Sequence, residues 1–142
     1  MENTLINDGT TAVQHNFWYI DKNGQCKQAT GKDDEANKAH YIFENHFSSE
    51  EEACDAAMSW QTLLELKKLA ADSSGSFEKR DLSQHKWHLV YILRANKVIV
   101  TPLVNSRTNA LDVFFNSEEE GKNAIRQIGE KRLKKYFFNV PV

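Results

Sequence analysis

Only two prolines, six singly scattered glycines and two cysteines occur among the 142 residues, and each shortage excludes something. So few prolines and glycines exclude a low-complexity linker and a collagen-like fibre. Glycines that never cluster provide no phosphate-cradling loop, and no Walker loop, dinucleotide fingerprint or serine elbow is present. Cys26 and Cys54 cannot make a disulfide framework, and their scarcity fits a reducing cytosol. No stretch approaches 18 consecutive apolar residues, so no transmembrane helix is expected. The opening Met1–Asp8 has neither a basic nor an apolar region, so no secretory signal is expected either. What is present is ordinary: 40% hydrophobic and 27% charged residues, a composition that excludes intrinsic disorder and fits one domain or two small halves.

The net charge of −2 hides a polarity. Residues 1–66 carry 12 acidic and 4 basic side chains, whereas residues 67–142 carry 8 acidic and 14 basic. The steepest stretch is the C-terminus, where Lys122, Arg126, Lys131, Arg132, Lys134 and Lys135 face only Glu130. Such asymmetry can attract an anionic partner, or let the two halves attract each other. A pI near 6.2 is far from the basic footprint of a dedicated nucleic-acid binder.

The chain also matches itself at an offset of 68 residues. Phe47-Ser48-Ser49-Glu50-Glu51-Glu52 falls on Phe115-Asn116-Ser117-Glu118-Glu119-Glu120, and Trp18-Tyr19-Ile20 falls on Trp87-His88-Leu89 at an offset of 69. Each block has a physical job. Ser49 with Glu52, and Ser117 with Glu120, form capping boxes: the serine oxygen accepts a free first-turn amide, and the glutamate reaches back to the serine amide. Acidic residues in the first turn also suit the helix dipole. The glutamate triplets therefore mark helix starts and need no catalytic explanation.

Past Ser49, the residues Ala53, Ala56, Ala57, Trp60, Leu63, Leu64 and Lys67 follow helical spacing, which predicts one apolar stripe headed by Trp60 and a helix ending near Ala71. Past Ser117, Ala124, Ile125 and Ile128 lead to Gly129, which can end one helix before Leu133, Tyr136 and Phe137 begin another. Strand-like segments precede each cap. His15–Asp21 and Gln25–Thr30 flank an Asn23-Gly24 turn signal, with Tyr41–Phe47 as a third strand. Trp87–Leu93 is apolar on both faces and so reads as central; Val98–Val104 and Leu111–Phe115 complete the second set.

The expected fold class is α+β: two related β-β-β-α units, with antiparallel sheet packed with helices. The expected organisation is an N-terminal extension (1–14), a first unit (15–71), a polar connector (72–86) and a second unit (87–142). Trp60, Leu63, Leu64, Trp87, Leu89, Tyr91, Ile125 and Ile128 should form the core, and Trp60→Ala should cost about 3–5 kcal/mol if that ring is buried.

Little chemistry is expected. His85 and His88 at a strand start do not share a face, and His40 and His46 on one strand lack a completing cysteine or carboxylate set. Cys26 and Cys54 come from separate local elements, with no second cysteine near either for redox work. The RNA-recognition octamer and its element order are both absent. No catalytic residue, metal or cofactor is expected. Tyr136, Phe137 and Phe138, beside four cations, are the aromatic candidates for an exposed contact.

The order Trp18-Tyr19-Ile20-Asp21, Asn45-His46-Phe47, the two capped helix starts, Trp87-His88-Leu89-Val90-Tyr91, Val113-Phe114-Phe115 and the run from Ala124 to Phe137 resembles a group of small, mostly uncharacterised proteins from phages and prophages of Gram-positive bacteria. The similarity covers most of the chain from about residue 16. Its most specific part is Ile128-Gly129-Glu130-Lys131-Arg132-Leu133-Lys134-Lys135-Tyr136. Gly121 departs from the alanine expected in that helix and should weaken it slightly. The resemblance implies a mobile-element origin and the cytoplasm of a bacterial host, and no activity.

Two functions fit these features. The first is a non-enzymatic accessory protein that binds a host protein. One specific form is an anti-CRISPR-like inhibitor of a defence nuclease, with Asp33, Asp34, Glu35 and Glu44 as acidic contacts. The alternative is nucleic-acid binding by the C-terminal helix, with Arg126, Lys131, Arg132, Lys134 and Lys135 on phosphates and Tyr136 or Phe138 against a base or sugar. Five such contacts would give a log–log salt slope of roughly −4 to −5. No membrane partner is expected. The doubly apolar strand is satisfied either by a sandwich of the two units or by a homodimer.

Overall fold

The computed structural model describes residues 17–29, 39–40, 44–74, 86–103 and 113–141, with the side chains of 71–74 outside that description. The fold is α+β; the described residues include two small antiparallel sheets and three helices: β1 (Trp18–Ile20), β2 (Cys26–Gln28), α1 (Glu50–Ser74), β3 (Lys86–Ile92), β4 (Lys97–Leu103), α2 (Glu118–Ile128) and α3 (Glu130–Tyr136). The chain divides into two compact units, Met1–Ala57 and Met58–Val142, so that the first turns of α1 belong to unit 1 and the rest to unit 2. Among the described residues, no helix is long and apolar enough to cross a membrane.

In unit 1, β1 and β2 form a hairpin in which Trp18 faces Gln28, Tyr19 faces Lys27 and Ile20 faces Cys26. Asp21 makes the turn. Its Oδ1 accepts the amides of Asn23 and Gln25 at 2.8 and 2.9 Å, and Gly24 adopts a φ of +77° that glycine tolerates without a Cβ clash. The Gln25 amide, followed by the Lys27 ammonium 3.0 Å from the carboxylate, holds the Asp21 pKa below the usual carboxylate range. Phe47 pairs with the other edge of β1 by two hydrogen bonds to Trp18 of 2.9 and 2.8 Å. Two residues along, where a third strand would meet Ile20, the Asn45 side chain takes the place of backbone. Its Oδ1 accepts from the Ile20 amide at 2.9 Å, and its Nδ2 donates to the Ile20 carbonyl at 2.8 Å.

In unit 2, β3 and β4 pair over their whole length, from Lys86 with Leu103 to Ile92 with Lys97. Leu93–Ala95 form a 3-10 turn closed by Asn96 at a φ of +47°. Phe115 pairs with Trp87 by hydrogen bonds of 2.9 and 2.8 Å, the counterpart of Phe47 and Trp18. Leu66, Ala70, Leu89, Val98, Val113, Phe115, Ala124, Ile128 and Leu133 form the buried core. Leu63, Trp87, Tyr91, Ile125, Phe137 and Phe138 pack on it, half-buried.

Both serine caps form as expected: the Glu52 amide donates to Ser49 Oγ, and the Glu120 amide to Ser117 Oγ, each at 3.2 Å. The glutamates reach one residue further back than a capping box requires. Glu52 Oε2 accepts from the Ser48 amide and hydroxyl at 3.1 and 2.6 Å, and Glu120 Oε2 accepts from the Asn116 amide at 2.9 Å. Gly129, at a φ of +93°, separates α2 from α3. Of the expected third strands, the described residues show the bridges at Phe47 and Phe115, with Glu44 at a φ of +57°; residues 41–43 and 111–112 lie outside the described residues.

Two core expectations are corrected. Trp60 is 59% and Leu64 is 48% exposed. The face of α1 that packs carries Thr62, Leu66 and Ala70, flanked by Leu63 and Leu69. Trp60 lies about 120° around the helix from Leu66, and Leu64 is nearly opposite it. Apolar residues occur all round α1, so helical spacing fits more than one face. The buried face is fixed by α3: Arg132 Nε donates to Thr62 Oγ1 at 3.1 Å, and its Nη1 lies 2.5 Å from Glu65 Oε2. The reading of Gly121 is corrected as well. A Cβ there would lie 2.7 and 2.9 Å from the two Val100 methyl carbons. The glycine brings α2 close to β4, and an alanine would require either the Val100 side chain or the helix to shift.

Candidate interaction surface

The C-terminal cations sit on two short helices. α2 starts at its Ser117 cap with Glu118, Glu119 and Glu120 in the first turn. α3 starts at Glu130 and ends with Lys134 and Lys135, a charge order that complements its dipole. Two of the five cations, Arg132 and Lys134, are engaged within the fold. Arg132 is held by Thr62 and Glu65 and is largely covered. Lys134 donates to the Asn96 carbonyl and lies 3.2 Å from Glu130 Oε1, stapling α3 to the β3–β4 turn. Arg126 pairs with Glu119 at 2.7 Å, both well exposed; such pairs contribute little to stability. Lys131 and Lys135 are exposed, with the Lys135 ammonium 4.9 Å from the centre of the Tyr136 ring.

The aromatics divide in the same way. The Phe138 ring lies 4.9 Å from Phe137 and 6.1 Å from Tyr91, and all three pack on the core. Tyr136 is half-buried. An open groove of about 500 Å³ runs between Asn96, Glu130, Lys131, Lys134, Val140 and Pro141. Within it, Glu130 Oε1 accepts from the Val98 amide at 2.9 Å. That hydrogen bond, followed by the one from Lys134, holds the Glu130 carboxyl below the usual glutamate range. Glu130 and Lys134 in the groove are therefore engaged with each other and with the hairpin.

Of the acidic candidates, Asp33, Asp34 and Glu35 lie outside the described residues. Glu44 is exposed, with a carboxylate oxygen 3.9 Å from His46 Nε2. Among the described residues, His40 and His46 each have their own aromatic partner. His40 stacks on Tyr19 with ring centroids 4.2 Å apart, and its Nδ1 accepts from Asn45 Nδ2 at 3.2 Å; His46 meets Phe17 edge-on. Among the described residues, no group of three or more histidines, cysteines and carboxylates could hold a metal ion.

The residues that sequence reasoning missed are on α1. Trp60 and Leu64, one turn apart on one helix, present an aromatic and an aliphatic side chain to solvent. Gln61, Glu65 and Lys68 around them are also exposed. Leu66, Leu69 and Ala70, all outside the expected stripe, were the available signal that a second apolar face competed for the core. Leu93, 82% exposed at the hairpin tip, stands apart as a single apolar residue. No protein-family model, no curated protein and no solved structure matches this chain.

Proposed function

We propose that this chain is a non-enzymatic binding module of phage or prophage origin that engages another protein through the Trp60–Leu64 face of α1. The observation that carries the reading is the exposure of those two side chains on one turn of an ordered helix. Burying each on a partner recovers about 1.5–3 kcal/mol, and tryptophan is the residue type most enriched among interface hot spots. A host protein in the bacterial cytoplasm is the partner class, and a defence nuclease is its specific form. In that form Asp33, Asp34, Glu35 and Glu44 face the nuclease's cationic channel. Two related β-β-β-α units supply the scaffold. This duplication is supported by the corresponding Trp18–Phe47 and Trp87–Phe115 pairs and the two corresponding caps.

The test uses a double variant, Trp60→Ala with Leu64→Ala. Both residues are exposed, so the variant is expected to melt with the wild type. Wild-type protein is expected to recover a stoichiometric partner from host lysate, and the variant to lose it. Recovery of the same partner by both proteins removes the α1 face; recovery of none by the wild type removes protein binding altogether. If the partner is a second copy, light scattering gives twice the 16.3 kDa chain mass. A monomer mass at every salt concentration excludes that form.

A second reading, nucleic-acid binding, is favoured by one observation: Arg126, Lys131 and Lys135 remain exposed. Three phosphate contacts would give a salt slope of roughly −2 to −3. Replacing Lys131 and Lys135 should reduce it by about two. Absence of binding to single- or double-stranded DNA and RNA at low salt removes this reading.

A further inference from the structure

Cys26 and Cys54 are 28 positions apart in sequence, yet their Sγ atoms lie 2.6 Å apart, the Cys54 thiol donating to Cys26. This corrects the expectation that neither cysteine has a second one nearby. Cys26 is the residue of β2 that faces Ile20, and Cys54 is in the second turn of α1; both are half-buried free thiols. The junction has a counterpart in unit 2. By strand register, Ile20 facing Cys26 corresponds to Leu89 facing Val100, and Val100 is the residue that packs on α2 at Gly121. The counterpart of Gly121 in unit 1 is Ala53, and the sulfur contact of Cys26 falls one residue further along the helix, on Cys54. Closing the remaining gap of about 0.6 Å would reach a disulfide bond length.

We propose that Cys26 and Cys54 are a redox-modification site, closing under peroxide to an intramolecular disulfide that clasps β2 to α1. Burial, then the hydrogen bond and charge of Cys54, then the Glu50 and Asp21 carboxylates, push the Cys26 thiol up to about 11. The thiolate is the nucleophile, and with the two sulfur atoms 2.6 Å apart either cysteine can resolve the other. The thiolate of one cysteine attacks one oxygen of hydrogen peroxide and the O–O bond breaks. The departing hydroxide takes a proton and leaves as water, and that cysteine becomes a sulfenic acid. The sulfur of the second cysteine then attacks the oxidised sulfur; the S–S bond forms, the S–O bond breaks, and the second thiol's proton leaves with hydroxide as a second water. Two thiols lose two electrons and two protons, and one peroxide gains them.

The test is made on the full-length protein, reduced, desalted and exposed to hydrogen peroxide. Both thiols are expected to become unavailable to maleimide together, in a chain that stays monomeric on a non-reducing gel. Tryptic digestion should yield peptide 23–27 joined to peptide 39–67, lighter than their sum by two hydrogens. The oxidised protein should melt several degrees higher, because the bond restricts the unfolded chain between residues 26 and 54, and dithiothreitol should reverse the shift. Cys26→Ser should abolish the shift while Cys54 is still oxidised. Thiols that stay reactive to maleimide under peroxide that oxidises free glutathione, or cysteine links found only between chains, would overturn the proposal.

Discussion

Unit 1 and unit 2 begin alike and finish differently. In each, a tryptophan on a hairpin strand exchanges two hydrogen bonds with a phenylalanine, and that phenylalanine leads through a serine cap into a helix. In unit 2 the hairpin runs seven residues on each side, and α2, α3 and the latter part of α1 supply Ala124, Ile128, Leu133, Leu66 and Ala70 to cover Leu89, Val98 and Phe115. Unit 1 has three-residue strands. Phe17, Ala29 and Ala53 are its buried apolar residues among those described. It compensates with polar and sulfur contacts: Asp21 in its turn, Asn45 on the strand edge, and Cys26 against Cys54. Among the described residues, the two tryptophan–phenylalanine pairs thus sit in different surroundings: mainly apolar burial in unit 2, and specific directional contacts in unit 1.

The largest expected effect tests that contrast directly. Phe115→Ala should cost about 3–5 kcal/mol, because the ring is almost wholly enclosed in the core. Phe47→Ala, at the corresponding but half-buried place, should cost visibly less in the same urea titration. Equal costs would mean that unit 1 is held by apolar burial as unit 2 is.

Next comes the strand–helix junction. Helix propensity alone makes Gly121→Ala stabilising by about 1 kcal/mol. The added methyl would meet Val100 at 2.7 and 2.9 Å, however, and overpacking of this kind costs about 1–3 kcal/mol. Net destabilisation is expected, with Val100→Ala relieving the clash in the double variant; a Gly121→Ala protein that melts higher than the wild type would break the argument. Asn45→Ala probes the opposite device in unit 1. It leaves the Ile20 amide and carbonyl without their partner, at a cost of about 1–3 kcal/mol, and the loss should appear as faster hydrogen exchange at the Ile20 amide.

The smallest effect is electrostatic. The folded-state pKa of Glu130 is depressed by the Val98 amide and then by Lys134. Its contribution is therefore present above the unfolded glutamate value of about 4.5 and is lost as pH falls through the lower folded value. Glu130→Gln should lower the melting temperature modestly at neutral pH and flatten its fall below pH 4.5. An acid limb identical to that of the wild type would show that the hairpin amide does not rely on this carboxylate.

Several features followed from the sequence alone because the groups that decide them are a few residues apart. Ser49 and Ser117 cap helices because the amides they accept from are three residues on. Gly129 ends α2 because its own φ is positive, and Asp21 to Gly24 turn because a side chain reaches its own neighbouring amides.

What only the tertiary structure decided involves groups far apart in sequence. The buried face of α1 depends on Arg132 meeting Thr62 across 70 positions, and the engagement of Lys134 depends on Asn96, 38 positions away. The nearness of Cys26 and Cys54 depends on β2 folding back on the second turn of α1. A helix that is apolar on several sides fixes its secondary structure by local spacing. Which side it buries is chosen by the partner that satisfies its polar groups as well as its leucines, and that partner is known only once the chain has folded.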